Sequence, residues 1–198
     1  MQALQVFAGA RARAHLRERG LAPSDVRVVP AAAGGPKGLA LNAIDRFVFG
    51  HWLKGGTQTV HLLGASIGAW RMAAACRADA DAALAELADD YIAQDYPHEP
   101  GKAPKKADVT RIFGQTLQQR LGAHANELLT HPRYRLHVIA SRGRHLLRRE
   151  ARLRTPLGYL GAIAANLVAR RAMGGWLERV MFSDPRDALP FALHDYRT

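Results

Sequence analysis

The sequence predicts an α/β protein, a mainly parallel sheet flanked by helices on both faces, and three observations carry that prediction. Short apolar, β-branched runs alternate with longer runs of helical periodicity. Two glycine-rich turns, Gly34-Gly35-Pro36-Lys37-Gly38 and Gly64-Ala65-Ser66-Ile67-Gly68, each join a strand candidate to a helix candidate. With 198 residues, 48% of them hydrophobic, the chain can bury one sizeable core, so a single domain is expected over residues 1–198.

The elements follow in order. Leu4 to Arg19 reads as a short N-terminal element and a basic helix stopped by Gly20. Val26 to Val29 is the first strand. Leu39, Leu41, Ile44, Phe47, Val48 and Trp52 then recur at helical spacing, which predicts a helix from about Lys37 with that face inward. Thr59 to Leu63 is the second strand, and Ala69 to Cys76 has strong helix formers at nearly every position. Asp81 to Ala93 continues helical. The Pro- and Lys-rich stretch 96–107 breaks into a long loop, read as an insertion or lid. Asp108 is the expected cap of a helix carrying Val109, Ile112, Phe113, Leu117 and Leu121, and a second short helix ends before His131-Pro132. Tyr134 to Ala140 is another strand. Thr155 to Ala169 reads as a helix with Thr155 as N-cap, Pro156 at its first position and Gly174-Gly175 at its end. Its apolar face, Leu157, Leu160, Ile163, Ala164, Leu167 and Val168, is expected to be buried, with a substrate-facing or interfacial element as the alternative. Val180 to Phe182 is the last strand.

The two glycine turns carry the chemistry. A serine between glycines two residues to either side, at the junction of a strand and a helix, is the setting of a nucleophile elbow, because the glycines remove the Cβ atoms that would clash there. A glycine-rich loop feeding a helix displays unpaired N–H groups and the positive end of the helix dipole, so the upstream turn suits an anion. Neither phosphate fingerprint fits: Lys37 is followed by Gly38 where a Walker motif needs Ser or Thr, and no G-x-G-x-x-G occurs. An oxyanion is the remaining candidate, with Ser66 as nucleophile. A plain tight turn at Ser66 is the competing reading.

These two motifs, in this order, resemble those of the patatin-like phospholipase family of serine acyl hydrolases. Gly34, Gly35, Lys37 and Gly38 match that family's oxyanion loop, with Ala33 where a further glycine is usual, and Gly64, Ser66 and Gly68 match its G-x-S-x-G elbow. The likeness is motif-specific over about residues 26 to 78. It implies an acyl-enzyme formed on Ser66, an oxyanion held by the N–H groups of Gly34, Gly35 and Ile67, a lipid or other acyl ester as substrate, and no cofactor. The family uses a Ser-Asp dyad whose aspartate stands in an Asp-Gly pair, and no Asp-Gly occurs here. The expectation that follows is an N-terminal portion of a longer enzyme, incomplete at its C-terminus. A catalytically incomplete lipid- or acyl-binding scaffold is the alternative. A Ser66, Asp184 or Asp187, His194 triad has the chain order of α/β-hydrolases and is a further competitor.

Composition bounds the rest. The single cysteine, Cys76, excludes an internal disulfide and favours a reducing compartment. Residues Met1 to Ala10 lack the apolar core of a signal peptide, which predicts a cytoplasmic protein. The nine histidines show no metal-ligand spacing, so no metal is expected. The net charge of +11 is concentrated in Arg142, Arg144, Arg148, Arg149, Arg152 and Arg154, against Glu150 alone. That patch lacks interleaved aromatics, so no nucleic acid is expected; a solvated basic face is the plain reading, and among partners a peripheral contact with anionic membrane fits best.

Overall fold

A computed structural model describes residues 7–148, 151, 153–187, 189 and, for the backbone alone, 196–197. The helix α1 (Ala10–Arg19) ends on Gly20 at φ 74°, and β1 (Val28–Ala31) follows. A continuous helical run then changes pitch twice, from a 3-10 helix (Gly35–Leu41) through α2 (Asn42–Phe47) to a π turn (Val48–Trp52). Beyond it lie β2 (Val60–Ala65), α3 (Ile67–Ala75), α4 (Ala80–Ala93), α5 (Lys106–Arg120), α6 (Ala125–Thr130) and β3 (Tyr134–Gly143). The chain continues through α7 (Arg154–Val168), a 3-10 helix (Arg170–Gly175), β4 (Leu177–Ser183) and the two-residue β5 (Tyr196–Arg197). The Pro- and Lys-rich segment forms the mostly exposed connection between α4 and α5.

The strands form one mixed sheet in the order β1-β2-β3-β4-β5. β1 pairs with β2, β2 with β3, and β4 with β5 in parallel, whereas β3 and β4 are antiparallel. The sheet is thus mainly parallel, as expected, with β4 alone reversed against β3. The reason lies in the connection: the chain leaves β3 at Gly143, builds α7 and comes back to the same end of the sheet, where Gly143 faces Leu177. The Arg144 N–H donates to the Trp176 carbonyl at 2.8 Å and closes the base of that excursion. A connection that returns to its point of departure must reverse the next strand.

The core lies on one face of the sheet. Ala31, Val60, Leu62 and Tyr134 meet Phe49 and Leu53 from the π turn and its end, Met72, Ala73 and Cys76 around α3, and Leu84 of α4. Leu53, Leu62 and Leu84 are fully buried, each contributing roughly 2 kcal/mol by removing apolar surface from water. On the other face His61 and His137 stack in the interior, with Nδ1 and Nε2 3.0 Å apart.

Two expected helix faces are turned, one in part and one in full. On the Gly35 to Trp52 run Val48 and Trp52 pack against the core as expected, whereas Leu41, Ile44 and Phe47 are 43–58% exposed and Gly38, Asp45, Phe49 and Leu53 are buried. The pitch changes and a buried ion pair of Asp45, described below, set that rotation. In α7 the large apolar residues face outward and Gly158 and Ala162 are buried. Its start also differs: Leu153 precedes the first turn, and Thr155 lies inside it, its hydroxyl accepting the Ala151 N–H at 3.0 Å. The expected glycine stop at Gly174-Gly175 belongs to the 3-10 helix after it. Similarly, α5 starts at Lys106, so Asp108 stands within its first turn rather than as its cap.

Candidate active site

Ser66 joins the last residue of β2 to the first of α3, and its backbone sits at φ 53°, ψ −127°. This is the left-handed side of conformational space, where a non-glycine residue costs about 1–3 kcal/mol and persists only if its surroundings impose it. They do. A Cβ on Gly64 would stand 2.4 Å from the Ala69 Cα, and one on Gly68 would stand 2.2 Å from the Ala31 carbonyl oxygen. The chain can turn this tightly only with glycine at both positions. The Ser66 carbonyl accepts the Ala69 N–H at 2.8 Å as the first bond of α3. The serine itself is exposed, and the N–H of Ile67 opens the helix beside it.

The upstream loop leaves the sheet at the same end, because β1 runs parallel to β2 with Ala31 opposite Gly64. Gly35 takes φ 53°, which favours glycine. Gly34, at φ −174°, is extended and carries no such demand. A Cβ on Gly38 would meet the Ile67 Cγ2 at 2.8 Å, so the loop rests directly on the residue after the serine. Lys37 is exposed. The structure thus brings Gly34, Gly35, Lys37 and Gly38 to the end of the sheet that holds Gly64, Ser66, Ile67 and Gly68.

A polar clamp that the periodicity argument missed holds loop and elbow together. Asp45 of α2 takes two hydrogen bonds from Arg71 of α3, at 2.5 and 2.8 Å, with both side chains over 90% buried. Arg46 donates to Asp81 at 2.8 and 3.0 Å, and the Asn42 amide donates to the Leu84 carbonyl at 2.8 Å. The helix after the Gly34 to Gly38 loop is therefore tied to the helix after the serine by a bidentate buried pair, whose planar geometry fixes relative orientation. Its signal in the sequence is Arg71, the one charged residue of the otherwise apolar α3.

No acid or base partner reaches Ser66 among the described residues. Asp184 donates its N–H to the Leu136 carbonyl, and Leu136 pairs with Leu62, four residues before Ser66, so this carboxylate lies about 13 Å back along the strand direction. Burial raises its pKa, but hydrogen bonds from Arg186 outweigh that and hold it below the usual carboxylate range. Asp187 is bound by Arg135 at the same far end. These positions separate both aspartates from the serine and remove the α/β-hydrolase triad; His194 and Asp195 lie outside the described residues. Burial depresses the pKa of both His61 and His137 and pushes the Cys76 thiol up to about 12, so that thiol is no nucleophile. Glu178, at the serine end of β4, is already held by Arg144 at 2.8 Å, with Arg142 at 3.9 Å.

A cleft between α3, α4 and α5 begins at Trp70, one turn after Ser66, and is walled by Ala74, Leu87 and Leu121. Ion pairs Arg77 to Glu86 and Arg120 to Asp90 close it as a seam between helices. Among the described residues, no group of three or more His, Cys, Asp or Glu is placed to hold a metal ion, and no helix is long and apolar enough to cross a membrane.

Fold and site together define an α/β protein with an exposed, strained serine at a strand-to-helix turn. Comparisons with known proteins bring no match, whether among family models, curated proteins or solved structures.

Proposed function

We propose that this chain is a serine acyl hydrolase of the patatin-like kind, with helices on both faces of its sheet, acting on carboxylic esters of lipids. The observation that carries the reading is the strained backbone of Ser66, forced by Gly64 and Gly68 and packed against the Gly34 to Gly38 loop. In this reading the Ser66 hydroxyl attacks the acyl carbonyl. The N–H groups of Gly34, Gly35 and Ile67 hold the developing oxyanion, and the Asp45 to Arg71 clamp keeps those donors fixed relative to the nucleophile. Attack requires a base that takes the hydroxyl proton, and that group is sought outside the described residues.

Among the described residues no carboxylate or imidazole reaches Ser66, which favours a second reading, an acyl-binding scaffold without turnover. A fluorophosphonate probe and a p-nitrophenyl ester separate the two. The hydrolase reading expects labelling at Ser66 and ester turnover in the full-length protein, both abolished by Ser66→Ala. Labelling that survives the substitution, or that maps to Ser141 or Ser183, overturns the assignment. Ester binding without label or turnover supports the scaffold.

A further inference from the structure

We infer that the outward face of α7 is a docking surface for anionic lipid bilayers. The helix is built with its small residues inward. A Cβ on Gly158 would meet the Leu147 Cδ2 at 2.7 Å, and one on Gly161 would meet the Trp176 ring at 2.4 Å. These close approaches fix the rotation of α7, so its leucines cannot turn in. Leu157, Leu160, Ile163 and Leu167 are 56–81% exposed on the opposite side, and no charged residue occurs from Thr155 to Ala169. A contiguous apolar face of this kind on an otherwise strongly charged chain marks an interaction surface.

The occupant follows from charge and shape. Exposed arginines collar the helix at both ends, Arg148 before it, Arg154 at its first position, and Arg170 and Arg171 after it. Two of the arginines expected to form the patch, Arg142 and Arg144, are instead drawn toward Glu178, and Arg149 and Arg152 lie outside the described residues. A second copy of the chain would bring a second arginine collar and another +11 charge against the first, which opposes pairing. The outer side of a lone helix is convex and offers no groove to a shaped protein partner. An anionic bilayer needs no shape complementarity: it accepts apolar side chains at the headgroup boundary and attracts the flanking arginines. Tyr159, 54% exposed at the edge of this face, suits that boundary, where an aromatic ring is half in and half out of water.

The excursion carrying α7 leaves and rejoins the sheet at the end that bears Ser66. Docking through α7 therefore turns the serine end of the sheet toward the lipid. That consequence rests on the hydrolase reading; the docking itself does not.

Flotation of the full chain with vesicles tests it, comparing phosphatidylcholine alone with an equal mixture of phosphatidylcholine and phosphatidylserine. The expected result is binding to the mixed vesicles, at least about tenfold weaker on neutral ones and weakened by salt. Leu160→Glu with Leu167→Glu is expected to reduce binding by about tenfold or more while thermal unfolding stays unchanged, since both residues are exposed. Arg170→Glu with Arg171→Glu is expected to remove the preference for the anionic mixture. Equal binding to both vesicles, or full binding by the Leu160 and Leu167 variant, overturns the inference. So does concentration-dependent self-association without vesicle binding, abolished by that variant, which would make a second copy the occupant. Ser66→Ala should float like the unaltered chain, so loss of labelling with intact flotation counts against the nucleophile and not against the docking face.

Discussion

Helices α3 and α7 both place glycine and alanine where they touch the rest of the molecule, yet they end up with opposite relations to solvent. In α3 the small residues let the helix sink onto the sheet, and Ile67, Met72 and the alanines around them are buried. In α7 the small residues seat the helix on Leu147 and Trp176, and everything large points away. The difference teaches that small residues determine how closely a helix approaches, while the element on its far side determines whether its apolar bulk is hidden. α3 has α4 and the π turn around it. α7 has, among the described residues, only the turns that carry it.

Substituting the two sets of glycines gives the sharpest contrast and the largest effect. Gly68→Ala drives a methyl group into the Ala31 and Ala32 backbone, which has nowhere to go, and is expected to cost more than about 4 kcal/mol. Gly161→Ala meets the rim of the Trp176 ring, which can swing aside, at about 1–2 kcal/mol. Urea unfolding of the two variants reads the difference, and equal costs would break the comparison.

Next comes the clamp behind the elbow. Asp45→Ala strands the buried Arg71 guanidinium and is expected to lose about 3 kcal/mol. Asp45→Leu combined with Arg71→Met should recover most of that loss in the same measurement, because no unpaired charge then remains.

Acid should act on the buried core side, at the turn from α6 to β3. His131 stacks on Tyr134, and its Nδ1 accepts the N–H groups of Arg133 and Tyr134 at 3.1 and 2.8 Å. Burial first, and then the charges of Arg133, Arg186 and Arg135, push its pKa from 6.5 down to about 4. A histidine whose folded pKa is depressed stabilises the fold above its unfolded value, and that contribution is lost as pH falls from about 6.5 toward about 4. Unfolding free energies across that window should drop by about 2 kcal/mol more in the unaltered chain than in His131→Asn, whose amide oxygen can accept the same bonds without titrating.

The smallest expected effect has the opposite sign. Ser66→Gly relieves the left-handed strain and should stabilise the protein by about 1 kcal/mol while removing the candidate nucleophile. A stability loss in calorimetry would show that the serine side chain holds the turn rather than suffers it.

Legibility follows the range of the interactions involved. The elbow could be read from the chain because its steric demand is local: Gly64 and Gly68 collide with atoms only a few residues away or on the neighbouring strand. The first strand, expected over Val26 to Val29, runs instead from Val28 through Pro30 to Ala31, since an edge strand tolerates proline. Periodicity found apolar faces on the Gly35 to Trp52 run and on α7 and placed both inward, whereas much of the first and all the large residues of the second point to solvent. In the first case the decision lay in the Asp45 to Arg71 pair, a contact between distant residues. In the second it lay in Gly158 and Gly161, whose small side is silent in a count of apolar residues. The reversal of β4 was invisible for a similar reason, since alternation counts elements and carries no information on where a connection returns.

That return has a further consequence. Because Arg144 and Trp176 are already joined by a backbone hydrogen bond, the β3 and β4 ladder is complete beneath the excursion, and the described residues between them hang from it as a cassette. Such a unit can open without unzipping the sheet, so its amides should exchange with solvent at a lower free energy than those of β2 and α3. It can equally be shortened to a tight hairpin or replaced by another insertion while the core stays intact. The molecule thereby separates what it must keep rigid around Ser66 from what it is free to vary at its rim.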